Sequence, residues 1–210
     1  MSSARGTEPA VFSAARQGDF AAIRAYAAVG NSVNVCDAHG NSLLAVFLDA
    51  YEAQCAARDT PLLTLHPEWD YEFSFVPETD KTPLEARQDG ILAQLAWFLA
   101  QGADLNLCDL SACGAVETPL FLAVQFADYY LAEYLLKHGA DPRVRLSDST
   151  FPWETEETYL TDHVDVLLME ARGARTEYLY RLGALLERFG APSRRLTPFS
   201  ASLPEDCGGA

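Results

Sequence analysis

Two stretches of the chain carry the same residue types in the same order, VNVCD at 33–37 and LNLCD at 105–109. Each follows a marker glycine, and the second marker opens a GAD triplet, 102–104, that recurs at 139–141. Degenerate copies stand at the ends, Gly30-Asn31-Ser32 and Gly190-Ala191-Pro192. Such recurrence constrains folding more than composition does, because self-similar units bury their apolar faces only by stacking on their neighbours.

An amphipathic stretch precedes every marker: FAAIRAYAAVG, ILAQLAWFLAQG, YYLAEYLLKHG and YLYRLGALLERFG. In the third, Tyr130, Tyr134 and Lys137 follow one line while Leu131, Leu135 and Leu136 follow another, the pattern of a helix packed along one stripe. Gly102 and Gly139 then suit the left-handed residue that closes a helix, where a Cβ is penalised.

These units resemble the ankyrin repeat family. The strongest likeness is TPLFLAVQFADYYLAEYLLKHGAD, residues 118–141, in which Thr118 is set to cap a helix and Pro119 to occupy its first turn. Phe121 stands where the family has a histidine after TPL, so packing must brace a turn that hydrogen bonding usually braces. The first unit, VFSAARQGDFAAIRAYAAVGNSVNVCDAHG, has a turn at Gly18-Asp19 and a hairpin at 37–40. The resemblance spans about residues 10–192 and implies an all-α solenoid of about four helix-turn-helix repeats. It also gives Cys36 and Cys108 equivalent places, just before the aspartate that begins each hairpin turn.

A unit of this family runs about 33 residues. The marker glycines here are 72, 37 and 51 residues apart, so one period leaves excesses of about 39, 4 and 18. Insertions are therefore expected in repeat two, about 55–82, and before repeat four, as an extended finger at about 145–160. NSLLAVFLDAYEAQ from 41 and TPLEARQDG from 82 both open like a repeat. Either the insertion splits one repeat between its helices or an incomplete extra repeat is present. The split is preferred, because 82–89 is short for a separate packed helix. Residues 1–9 are read as a flexible start and 193–210 as a tail that either docks Leu196 and Phe199 over the last repeat or stays loose.

Composition excludes several function classes. Hydrophobic residues make up 49% of the 210 and charged residues 21%, a balance that supports a packed core over disorder. A net charge of −15 opposes binding to a phosphate backbone and favours a basic partner. MSSARGTEPA shows no secretory pattern, and no apolar run of 18 residues exists to span a membrane. Five cysteines without CxxC spacing argue for reduced thiols in a cytoplasm rather than a disulfide framework. Thirteen of the fifteen basic residues are Arg, a bias expected of a GC-rich bacterial genome.

The insertions hold the most suggestive chemistry. In HPEWDYEFSFVPETD, Trp69, Tyr71, Phe73 and Phe75 alternate with Asp70, Glu72 and Ser74, which in an extended segment puts aromatics on one face and acids on the other. STFPWETEETYLTDHVD combines Phe151, Trp153 and Tyr159 with Glu154, Glu156, Glu157 and Asp162. Windows 59–80 and 146–165 each hold six acids and no Lys or Arg, twelve of the chain's thirty acids. The aromatics either fasten the loops to the repeats or, ringed by acids, form a contact surface for an Arg- or Lys-rich protein.

Catalytic and metal signatures are weak by comparison. Cys36, Asp37, His39, Cys108 and Cys113 match no closed four-ligand zinc pattern. His163 between Asp162 and Asp165 resembles a hydrolase cluster but fits a helix start better, with Thr161 as cap. His66 lacks a recognisable partner, and His138 sits at a helix end, where partial positive charge is favoured. No GxSxG, HExxH, P-loop or dinucleotide fingerprint appears, so neither cofactor nor metal is expected.

The family resemblance implies binding of other proteins through hairpin tips and the first-helix surface. Here that designates the tips at 37–40, with His39, and 109–117, and the faces near Phe121, Gln125 and Asp128. The expectation is a monomeric, non-catalytic, cytoplasmic binder of a basic protein, such as an inhibitor or immunity protein against a bacterial toxin. An adaptor bridging cellular proteins is the alternative, and an enzyme with a site in the insertion the outlier.

Overall fold

The computed structural model of the chain describes residues 9–57, 83–109, 117–143, 159–171, 174–195 and 197–199. Among these lie eight α-helices: α1 (Ala10–Arg16), α2 (Phe20–Ala28), α3 (Leu43–Ala57), α4 (Pro83–Ala100), α5 (Pro119–Gln125), α6 (Tyr129–Lys137), α7 (Leu160–Glu170) and α8 (Ala174–Arg188). Helices α1 and α2, α5 and α6, and α7 and α8 pack as hairpins. First helices stack in one row, α1 on α3 on α5 on α7, and second helices in another, α4 on α6 on α8. Among the described residues the architecture is an all-α solenoid of two stacked rows of helices.

Local chemistry fixes several helix ends where the pattern demands. Thr118 accepts the Phe121 N–H at 3.2 Å with Pro119 in the first turn, which satisfies an end donor of α5 and removes another. Asp19 and Asp128 cap α2 and α6 by accepting from the N–H groups of Ala22, at 3.0 Å, and Leu131, at 2.9 Å. The marker glycines 30, 102, 139 and 190 all have positive φ, between 77° and 98°, the left-handed closure the sequence predicts. Before the Asp128 cap, Ala127 adopts φ 54° at the place Gly18 fills in the first unit, a conformation that a Cβ makes costly.

The motif VNVCD joins repeats through its asparagine. Asn34 Nδ2 donates to the Gly102 carbonyl at 2.8 Å, and its Oδ1 accepts the Asp104 N–H at 2.8 Å. Asn106 repeats both bonds one unit on, with the Gly139 carbonyl at 3.1 Å and the Asp141 N–H at 2.7 Å. The first pair spans 68 and 70 residues, the second 33 and 35. The insertion in repeat two thus leaves the contact between adjacent units unchanged.

Of the stretch left open at 82–89, the residues from Pro83 are continuous with α4, which runs through Gly90 to Ala100. A single core runs across the units, with Phe12, Ile23, Phe47, Leu95, Phe98, Leu120, Leu135, Leu179 and Leu186 all buried. Phe20 lies 5.7 Å from Phe47 and 5.2 Å from Trp97, an aromatic cluster that binds the first two units together.

One expected cap is corrected. Helix α7 starts at Leu160, and its first-turn Asp162 accepts the Tyr159 N–H at 2.9 Å. Thr161 lies inside the helix, where its buried hydroxyl donates to the Pro192 carbonyl. The carboxylate three residues past Tyr159 reaches that N–H, which leaves the threonine free to hold the chain after α8.

Candidate functional site

The first hairpin tip is organised by Asp37. Its Oδ1 accepts the N–H groups of His39 at 2.9 Å and Asn41 at 3.0 Å, and its backbone N–H donates to the Asn41 carbonyl at 2.9 Å. Gly40 closes the turn with φ 93°. The next tip lies against it, because the Asp109 N–H donates to the Gly40 carbonyl at 2.9 Å and Asn41 bridges to Cys108. Asn41 Oδ1 in turn accepts the Glu117 N–H at 2.9 Å, which fixes the strand of chain entering α5.

Between these parts opens a cleft of about 390 Å³ lined by Arg16, Asp37, His39, Asn41, Val46, Asp49 and Glu117. Three repeats therefore contribute to one concavity. Arg16 Nη2 pairs with Asp37 Oδ2 at 3.1 Å on its wall. Burial pushes the Glu117 carboxyl above its usual range, and the nearby carboxylates of Asp49 and Asp37 push it further. A half-buried acid facing two others disfavours its own charge. The cleft is thus suited to a cation held by several acceptors.

The sequence-predicted contact residues fall in different places. His39 is exposed at the tip and lines the cleft. Gln125 is exposed at the end of α5. Phe121 is half-buried, its ring centroid 5.3 Å from that of His163 on α7, so packing does brace the turn after TPL. Asp128 is 2% exposed and spends Oδ1 on the α6 cap. Trp69, Asp70, Tyr71, Glu72, Phe73 and Phe75, and Trp153, Glu154, Glu156 and Glu157, lie outside the described residues.

Asp49 and Glu117 are cleft residues that sequence reasoning passed over. Asp49 is the one charged residue in LLAVFLDAY, residues 43–51, and that break in an apolar first helix was the available signal. Glu117 had none, since its neighbours in the cleft lie 68 or more positions away. The thiols of Cys36 and Cys108 are both pushed up, chiefly by burial and then by nearby acids. Neutral thiols are poor nucleophiles, which agrees with a structural place in the repeat. His138 closes α6, with Nδ1 2.8 Å from the Tyr134 carbonyl and its ring stacked on Tyr134 at 4.1 Å.

Among the described residues no helix is long and apolar enough to cross a membrane. A 2-5A-dependent ribonuclease of Mus musculus is 36% identical over 78 residues, which is 37% of this chain and 10% of that protein. The chain thus spans about a tenth of that relative. The crystal structure of the ankyrin repeat domain of Bcl-3, described as a unique member of the IkappaB protein family, covers 90% of this chain and 88% of its own at 15% identity, with a TM-score of 0.37. The sequence model described as "Ankyrin repeat" matches residues 117–146, the segment that holds α5, α6 and the GAD turn, so this segment of the chain is an ankyrin repeat.

Proposed function

We propose that this chain is a non-catalytic protein–protein interaction unit, as ankyrin repeats generally are, that it binds a basic protein, and that the cleft between the first hairpin tip, α3 and Glu117 receives an Arg or Lys side chain of that partner. The observation that carries the reading is the concave placement of Asp37, Asp49 and Glu117, where a partner cation offsets the burial and, after it, the repulsion from Asp49 and Asp37 that raise Glu117. In this reading His39, Gln125 and Phe121 border the contact. The acidic insertions extend it, with Trp69 and Trp153 as aromatic anchors. The charge of −15 supports an inhibitor or immunity protein that neutralises a basic bacterial toxin in the cytoplasm, acting as a monomer.

The test is affinity capture from cells that express the protein, using the unaltered chain and an Asp49→Asn, Glu117→Gln double variant of equal helicity. One basic partner is expected, held at least about tenfold less tightly by the variant. A partner that is acidic, or indifferent to the double substitution, defeats the proposal. Several weak partners in place of one point instead to an adaptor.

A further inference from the structure

The outer face of the fourth repeat is where a fifth would stack, and the chain after α8 lies on it. Tyr178 marks the inner side of α8, its hydroxyl oxygen accepting the Tyr129 N–H at 2.5 Å, and Leu182 and Leu185 continue that buried side. Tyr180, Gly183 and Glu187, at i, i+3 and i+7, share the opposite side. Phe199 is seated there with no exposed surface. A Cβ on Gly183 would meet its ring at 2.3 Å, so only glycine leaves room for the aromatic. Its backbone N–H donates to the two Glu187 carboxylate oxygens at 3.2 and 3.0 Å, and its ring centroid is 6.0 Å from that of Tyr180.

The same segment grips α7 by charge. Arg195 pairs with Asp165 while its guanidinium lies 4.2 Å from the Phe199 ring centroid and 5.3 Å from that of Tyr180. Arg194 Nε is 3.8 Å from Asp162, and its guanidinium is 5.6 Å from the Tyr159 ring centroid. Asp162 and Asp165 sit one turn apart, so adjacent arginines of an extended segment can meet both. We infer that the outer face of α7 and α8 is a recognition groove for a basic-aromatic segment, two adjacent arginines followed four residues later by an aromatic, and that the chain's own tail occupies it in cis.

The observations favour an exchangeable ligand over a fixed part of the core. Both ion pairs are partly exposed, so salt weakens them. One aromatic with its backbone bond to Glu187, and two ion pairs with their ring contacts, make a small contact, held mainly because the tether keeps the segment at high effective concentration. The groove uses none of the cleft residues, so it stands or falls apart from the function proposed above.

The probe is a labelled peptide of residues 193–200, titrated by fluorescence anisotropy against two full-length chains. Phe199→Ala empties the aromatic seat, and this chain is expected to bind the peptide at least about tenfold more tightly than the unaltered chain does. High salt, or Phe199→Ala within the peptide, is expected to abolish the signal. A Phe199→Ala chain of unchanged helicity that ignores the peptide, or equal binding to both chains, overturns the inference. Gly183→Ala supplies an independent reading, since its methyl collides with the ring and should free the tail. Tryptic cleavage after Arg194 and Arg195 is then expected to accelerate about tenfold or more, and an unchanged cleavage rate also overturns it.

Discussion

At the scale of single residues, the stack is held by asparagines that bond the backbone of the next unit. Replacing Asn34 by Ala removes two bonds, to Gly102 and Asp104, and is expected to cost about 1–2 kcal/mol in denaturant unfolding. A cost near zero would show that these exposed bonds are replaced by water without loss. Glu117 makes a prediction of opposite sign. Its folded pKa is raised, so between its unfolded pKa and the higher folded one the native state holds the extra proton, and stability falls as pH rises through that window. Glu117→Gln should therefore stabilise the free protein at neutral pH and change little well below the unfolded carboxylate pKa. Thermal melts at the two pH values check it, and equal shifts at both contradict it. The equivalence of VNVCD and LNLCD was legible in the sequence, but the cysteine drew attention while the asparagine does the joining. Its partners lie a repeat away, beyond what local spacing can reveal.

At the scale of elements, several helix starts and stops were legible because each rests on one residue type at a fixed place, Thr118 before Pro119 and glycine after α2, α4, α6 and α8, whereas Asp128, read from the sequence as a contact residue, caps α6. The start of α7 was misplaced by two residues because Asp162, not Thr161, satisfies the chain there. Helix α4 was harder, since TPLEARQDG imitates a new repeat and only the continuous backbone shows one helix. Gly90 tests that continuity. It lies inside α4 with open space where a Cβ would be and no left-handed φ, so Gly90→Ala should stabilise by about 0.5–1 kcal/mol in equilibrium unfolding. Were Gly90 the left-handed end of a separate short helix, the same change would destabilise. Gly102, with φ 77°, provides the contrast: alanine there should cost about 1 kcal/mol or more.

At the scale of the whole molecule, two rows of helices make a continuous exterior on which residues distant in sequence converge. The repeats announced that architecture, whereas the cleft that Arg16, Asp49 and Glu117 share could emerge only from stacking three units together. The central claim is that this acidic exterior recruits a basic protein by charge. Stopped-flow association of the captured partner with the unaltered chain, from about 0.02 M to about 0.5 M salt, addresses it most directly. The account predicts a rate that falls at least about tenfold across that range, with a shallower fall for the Asp49→Asn, Glu117→Gln chain. A rate that stays constant with salt would contradict it.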